Sequence, residues 1–149
     1  MKPSHHVVIS AAVTSLFALW VRSWPALAAC FLSGILIDID HHLDYWFNEK
    51  KFPFRYRDLV EFCSIENKNR GKLYLIFHSY ELLFLFWWAV LYLQLGVIWL
   101  GMAIGLTVHM LFDQLFNPLK RFAYFLTYRI LVGFKRENLF DPSRYQKVF

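Results

Sequence analysis

Residues 82–93 hold no charged side chain, and residues 96–116 hold one acid, Asp113. Where apolar side chains shield a backbone from water, its N–H and C=O groups must pair within the segment. That requirement leaves the α-helix as the form open to each run. A helix crosses a bilayer with about 20 apolar residues, and segments 72–95 and 96–116 reach that length. Two shorter apolar segments precede them, 6–21 and 25–40, the second with Pro25 well placed at a helix start. The fourth segment should stop before Pro118. The chain is 58% hydrophobic and 20% aromatic with mean hydropathy +0.36, well above an ordinary soluble domain. Its six Trp, eight Tyr and sixteen Phe suit interfacial belts. The expected fold is all-α: an integral membrane bundle of four spanning helices plus an interfacial C-terminal helix, forming one domain over residues 1–149.

Between the second and third segments lies a polar loop, residues 42–71, whose middle, 56–65, has the pattern of a short amphipathic helix. Residues 119–134 are rich in aromatics but include Lys120, Arg121 and Arg129. Arg129 near the centre would be costly in a fifth span, so this stretch is expected to lie in the membrane interface. The remaining tail, up to residue 149, is polar. Leu27-Ala28-Ala29-Cys30 looks like a lipoprotein cleavage box. Arg22, Trp24 and Pro25 separate it from the first apolar run, the wrong order for a signal, so that run is expected to stay as a membrane helix. Cys30 and Cys63 form no CxxC or zinc-ribbon spacing and read as free thiols.

Of the sixteen Lys and Arg, Arg22 alone falls on the side of the turns that join segments one to two and three to four. With four spans the other fifteen share a face, and the positive-inside bias makes that face cytoplasmic. The expected location is the inner membrane, multi-pass, with both termini cytoplasmic. Basic loops of this kind account for the net charge of +5 without nucleic acid as a partner.

Acids and imidazoles are costly at membrane depth and mark functional sites there. Four clusters occur: His5 with His6, Asp38-Ile39-Asp40-His41-His42, His78-Ser79-Tyr80-Glu81, and His109 with Asp113. In the four-span topology each reaches the inner face. On a helix over residues 72–95, His78 and Glu81 would lie about 9 and 14 Å in from Lys72. His109 and Asp113 are i, i+4. His78 and Glu81 are i, i+3, as are Asp38 and His41 if their helix continues that far, so each pair shares a helical face. Asp40 then points elsewhere, to bridge or to orient a ligand. Inward-facing pairs of this kind build two-metal sites in helical bundles. The candidate ligands are His5, His6, Asp38, Asp40, His41, His78, Glu81, His109 and Asp113. Such a mixed set takes a divalent metal, zinc first, with manganese or iron also suited, and two or more ions have room. Two ions would activate water and hold a phosphoryl or acyl oxygen. Glu81 or Asp40 is the candidate general base. Arg55, Arg57 or Arg70 could neutralise a phosphate.

Each residue also has a plainer role. A lone His on an apolar face is commonly a satisfied core residue. His42 reads as exposed loop and Asp44 as a solvated loop acid. Glu81 could cap a hydrogen-bond network, Ser79 bonds back to its own helix, and His109 with Asp113 could be an interhelical pair. Between His5 and His6 periodicity does not choose, though His6 lies nearer the span.

The order of these motifs resembles that of the membrane-bound metal-dependent hydrolases, small multi-helix inner-membrane proteins. Their pattern is an early His, then Pro-Asp-x-Asp-His, His-Ser on a later helix and His-x-x-x-Asp on a last apolar helix. Here these are His5 or His6, Ile37-Asp38-Ile39-Asp40-His41, His78-Ser79 and His109-Met110-Leu111-Phe112-Asp113. Ile37 stands where the pattern has Pro, and Asn69-Arg70-Gly71 replaces a His-Arg-Gly, a place Glu81 could fill. The pattern is also similar to that of zinc-dependent phospholipase C enzymes. The resemblance implies hydrolysis of a phosphoester or related bond in a lipid or amphiphilic substrate at the cytoplasmic membrane edge. The alternative is a non-catalytic membrane protein, a metal carrier or an interaction module held by a structural metal or hydrogen-bonded cluster. Residues 82–106 offer a carrier little beyond Gln94 as a polar path.

Overall fold

The computed structural model describes residues 3–51, 55–63 and 71–145. Among them every regular element is helical, apart from two isolated β-bridges, Lys72 to Lys135 and Leu119 to Phe140. The α-helices are α1 (Pro3–Ala18), α2 (Trp24–Leu36), α3 (Asp40–Glu49), α4 (Tyr56–Cys63), α5 (Tyr80–Tyr92), α6 (Val97–Phe116), α7 (Leu126–Leu131), α8 (Arg136–Leu139) and α9 (Pro142–Tyr145). A 3-10 turn, Ile37–Ile39, joins α2 to α3, and a second, Arg121–Tyr124, precedes α7. The all-α expectation holds. Packing divides the chain into two compact units, described in turn: Met1–Ile37 with Glu81–Phe116, and Asp38–Tyr80 with Asn117–Phe149.

In the first unit α2 packs along α6, and α1 lies against both. Small residues make the α2–α6 approach close. A Cβ added at Gly101 would stand 2.4 Å from the Ala26 carbonyl oxygen, and one at Gly105 would stand 2.2 Å from that of Cys30. Lacking a hydrophobic force between them, helices in lipid associate through such backbone approach and through interhelical hydrogen bonds. Ser33 supplies one, its Oγ donating to the Met102 carbonyl at 3.0 Å. Trp87 Nε1 donates to Thr107 Oγ1 at 2.8 Å and ties α5 to α6.

Four spans are expected from the sequence, but among the described residues two helical runs are long and apolar enough to cross a membrane, Trp24–Glu49 and Val97–Phe116. Only 28% and 33% of their apolar windows are buried, so they are unlike the enclosed core helix of a soluble protein. The other two expected spans are shorter, 16 residues in α1 and 13 in α5. The third segment loses its first two turns, where backbone groups of Lys72, Tyr74, Phe77 and His78 bond to α3 side chains. It ends early where Gln94 (φ 49) and Gly96 (φ 89) turn left-handed.

The second unit has a core of Tyr45, Leu59 and Phe62, with Cys63 against it. The amphipathic pattern expected at 56–65 forms α4 over Tyr56–Cys63, and residues 64 and 65 lie outside the described ones. Residues 119–134 do not make one interfacial helix. Phe125 is extended (φ −102, ψ 124) and separates the 3-10 turn from the short α7. Arg129 in α7 and Arg136 in α8 are both buried. Arg136 Nη1 donates to the Phe62 carbonyl at 2.8 Å, its guanidinium lies 4.1 Å over the Phe62 ring, and Nη2 is 3.8 Å from Asp44 Oδ2. Burial pushes this guanidinium down from its ordinary value, and Asp44 pulls it back up.

A Gly105→Ala substitution forces backbone apart at the α2–α6 contact. The expected cost is about 1–3 kcal/mol, read as a lowered melting temperature of the protein in detergent.

Candidate metal centre

In the first unit, His6 from α1 and His109 and Asp113 from α6 meet. The i, i+4 spacing puts His109 and Asp113 on one face of α6, with His109 Nε2 3.4 Å from Asp113 Oδ2. His6 Nε2 is 3.1 Å from Asp113 Oδ1. The two imidazoles stack, ring centres 3.9 Å apart at 17°. Exposure of these side chains is 3% for His6, 0% for His109 and 3% for Asp113.

His109 Nδ1 lies 2.9 Å from the Gly34 carbonyl, which can only accept, so Nδ1 carries the proton and donates. In the neutral ring Nε2 is then a lone pair facing a carboxylate oxygen. Two such atoms repel unless a proton or a cation lies between them. Ligand atoms around a tetrahedral zinc, with bonds of about 2.0–2.1 Å, stand about 3.3–3.4 Å apart. The donor set and its spacing therefore fit a divalent ion, and the Gly34 carbonyl does what an outer partner of a ligating imidazole does.

The second unit repeats the chemistry with Asp38, His41 and His78. Asp38 Oδ1 is 3.7 Å from both His41 Nε2 and His78 Nε2, and the two rings are 5.3 Å apart at 54°. His78 Nδ1 donates to Asp40 Oδ2 at 3.2 Å, which leaves Nε2 as the ligand atom. Donor atoms of the three lie within 4.8 Å of one another. His78 is buried, but the side chains of Asp38 and His41 are about a quarter exposed, at 26% and 25%. This set has an open side.

His78 does not lie on a helix, as its spacing to Glu81 suggests. It stands on a turn before α5, held by α3. Asn48, Asp44 and Asp40 recur every four residues along α3 and share a face. Asn48 bonds both backbone groups of Lys72, its Nδ2 donating to the carbonyl at 2.9 Å and its Oδ1 accepting from the N–H at 2.8 Å. Asp44 Oδ1 accepts from Tyr74 N at 2.7 Å, and Asp40 Oδ2 from Phe77 N at 2.8 Å and His78 N at 3.2 Å. Asp40 and Asp44 are each 1% exposed. Asp44 is thus not the solvated loop acid expected. Asp40, expected as a ligand or general base, is committed to three N–H groups and acts as the orienting partner of His78.

Glu81 is not a member of either His and carboxylate group. It occupies the first turn of α5, where a carboxylate favours the helix N-terminus. His5 is exposed and His6 buried, so His6 is the α1 contributor. His42, Arg55 and Arg57 are exposed, and Arg70 lies outside the described residues. Ser79 is fully buried, which leaves no room for a substrate at its hydroxyl. Both cysteines are free, as expected. Cys63 Sγ sits 3.7 Å from His41 Nδ1.

No protein-family model, curated protein or solved structure matches this chain.

Metal analysis of the purified protein should find a divalent ion. Asp113→Ala and His78→Ala should each lower the content, and full content in both variants would exclude both sets. A second expectation concerns Cys63. Burial is the largest cause holding its thiol up, at about 11. A raised value keeps the neutral thiol below pH 11, and the thiolate is the nucleophile. In the metal-free protein, iodoacetamide should therefore modify Cys63 slowly at pH 8, with the rate climbing about tenfold per pH unit toward that value.

Proposed function

We propose that this chain is a membrane-embedded, metal-dependent hydrolase acting on a phosphoester or related bond of a lipid or amphiphilic substrate. The observation that carries the reading is the pair of two-His, one-carboxylate sets, each with one imidazole fixed from behind. His6, His109 and Asp113 would hold one divalent ion and Asp38, His41 and His78 another, zinc being the first choice and manganese or iron alternatives. A bound divalent ion supplies Lewis acidity that activates water and offsets charge on a phosphoryl oxygen. Asp38 and His41 leave the second set approachable, so substrate meets the protein there. His78 and Asp40 keep that set in register while the outer face stays open.

The apolar, mostly exposed runs Trp24–Glu49 and Val97–Phe116 support a place in the membrane. We read both as crossing it, with α1 and α5 embedded beside them. At about 24 and 20 Å these two are shorter than the hydrocarbon core and draw the bilayer thinner around them. The excess of basic residues off the Arg22 side supports an inner-membrane orientation with both termini cytoplasmic. A substrate that partitions into lipid would then reach the site by lateral diffusion.

A second reading draws on the near-complete burial of His6, His109 and Asp113. Structural metal sites are closed, whereas catalytic ones keep a position open. A closed ion or ion-paired cluster there would pin α1 to α6 without chemistry.

Zinc-loaded protein in detergent micelles, assayed on a panel of lipid phosphates, separates the two. Release of a headgroup or of phosphate, reduced at least 100-fold in His41→Ala with the melting temperature kept, is the expected result. Metal binding without turnover of any member of the panel would favour the structural pin.

A further inference from the structure

A ligand on a turn needs something to fix the turn, and His78 lacks the helix that its spacing to Glu81 led one to expect. Its backbone N–H is taken by Asp40 and its carbonyl by Arg129. The Arg129 side chain is 1% exposed. Nη1 donates to the carbonyls of Tyr74 and Leu75, and Nη2 donates to that of His78 at 2.8 Å. The Leu75 carbonyl also accepts from His78 N at 3.1 Å, closing the turn. Leu75 is left-handed at φ 36, a conformation a leucine holds only where its surroundings impose it. The planar fork reaches three carbonyls spread over five residues, which a single ammonium does not match. The element carrying Arg129 is itself tied to the same segment, since Phe134 N donates to the Arg129 carbonyl and Leu73 N to that of Phe134, both at 2.8 Å.

We propose that Arg129 is a positioning residue for metal ligand His78: it gathers the carbonyls of Tyr74, Leu75 and His78 and so aims Nε2 at the ion shared with Asp38 and His41. The proposal rests on the reading of that set as a metal site. Asp40 orders the N–H side of the turn and Arg129 the carbonyl side. With either gone, the imidazole keeps its chemistry and loses its aim. Outer partners of metal ligands are worth about 10–100-fold in affinity.

Co(II) is the probe, titrated into the full-length protein in detergent and followed by its d–d absorption. The wild-type protein should show a band that His78→Asn removes. Arg129→Lys should weaken the affinity behind that band by about 10–100-fold and lower its intensity, at temperatures well below the variant's melting point. In the His78→Asn background the same Arg129→Lys change should cause no further loss of bound cobalt, counted by equilibrium dialysis, because Arg129 acts through His78. A residue that merely supports the fold would move the melting temperature and leave the band as it was.

A further measurement keeps Arg129 intact and decides the matter if Arg129→Lys does not fold. Coupling between sites is reciprocal. Saturation with zinc should slow hydrogen exchange of the Arg129 Nη protons by about the same 10–100-fold, and should not do so in His78→Asn. Unchanged exchange on metal binding, or a wild-type Co(II) band in Arg129→Lys, overturns the proposal while leaving the metal site standing. Absence of any His78-dependent Co(II) band removes the site reading and this proposal together.

Discussion

Residues 72–78 run beside α3, and side chains take backbone groups of Lys72, Tyr74, Leu75, Phe77 and His78. Asn48, Asp44 and Asp40 accept the N–H groups from one side, and Arg129 takes carbonyls from the other. A buried backbone must place every such group, and a helix would have placed them internally. Here acids buried to 1% exposure do the work. Leaving either side unmet would strand charges in a dry interior, where an unpaired ion costs several kcal/mol. The arrangement delays α5 until Tyr80 and sets His78 on a turn with both backbone groups engaged. The open-sided ligand set of the second unit follows from it.

The first unit solves the same problem differently. Its candidate ligands stand on two regular helices, His6 on α1 and His109 with Asp113 on α6, and the close approach of α2 to α6 brings the Gly34 carbonyl to His109. The two sets have the same chemical make-up, two imidazoles and one carboxylate. They differ in what holds them: regular helices carry every member of the first, whereas His78 of the second stands on a laced turn. That difference goes with burial: the helix-borne set is closed and the turn-borne set is partly open.

Much of this was legible in the residues. Pro25 marked the start of α2, Pro118 the end of α6, and the i, i+4 spacing of His109 and Asp113 survived into the structure because α6 is regular there. His6 was the favoured member of its pair. What escaped notice depends on partners distant in sequence. Tyr74 meets Asp44 thirty residues away and His78 meets Arg129 fifty-one residues away. Neither contact leaves a local period. The apolar run therefore read as one helix over residues 72–95, and Arg129 read as an obstacle to a span when it is a clamp. One signal was available: residues 40, 44 and 48 are Asp, Asp and Asn at helical spacing, a polar stripe that a solvated loop would not require.

The contact between Gly105 and the Cys30 carbonyl has a bearing beyond packing. One turn on along each helix, the α2 backbone comes near enough for the Gly34 carbonyl to reach His109 Nδ1. That reach decides which ring nitrogen keeps its proton, and so which one is left with electrons to share. The missing methyl group of a glycine thereby permits the approach that orients an imidazole, and a swelling of this seam would lengthen the bond from the Gly34 carbonyl to His109.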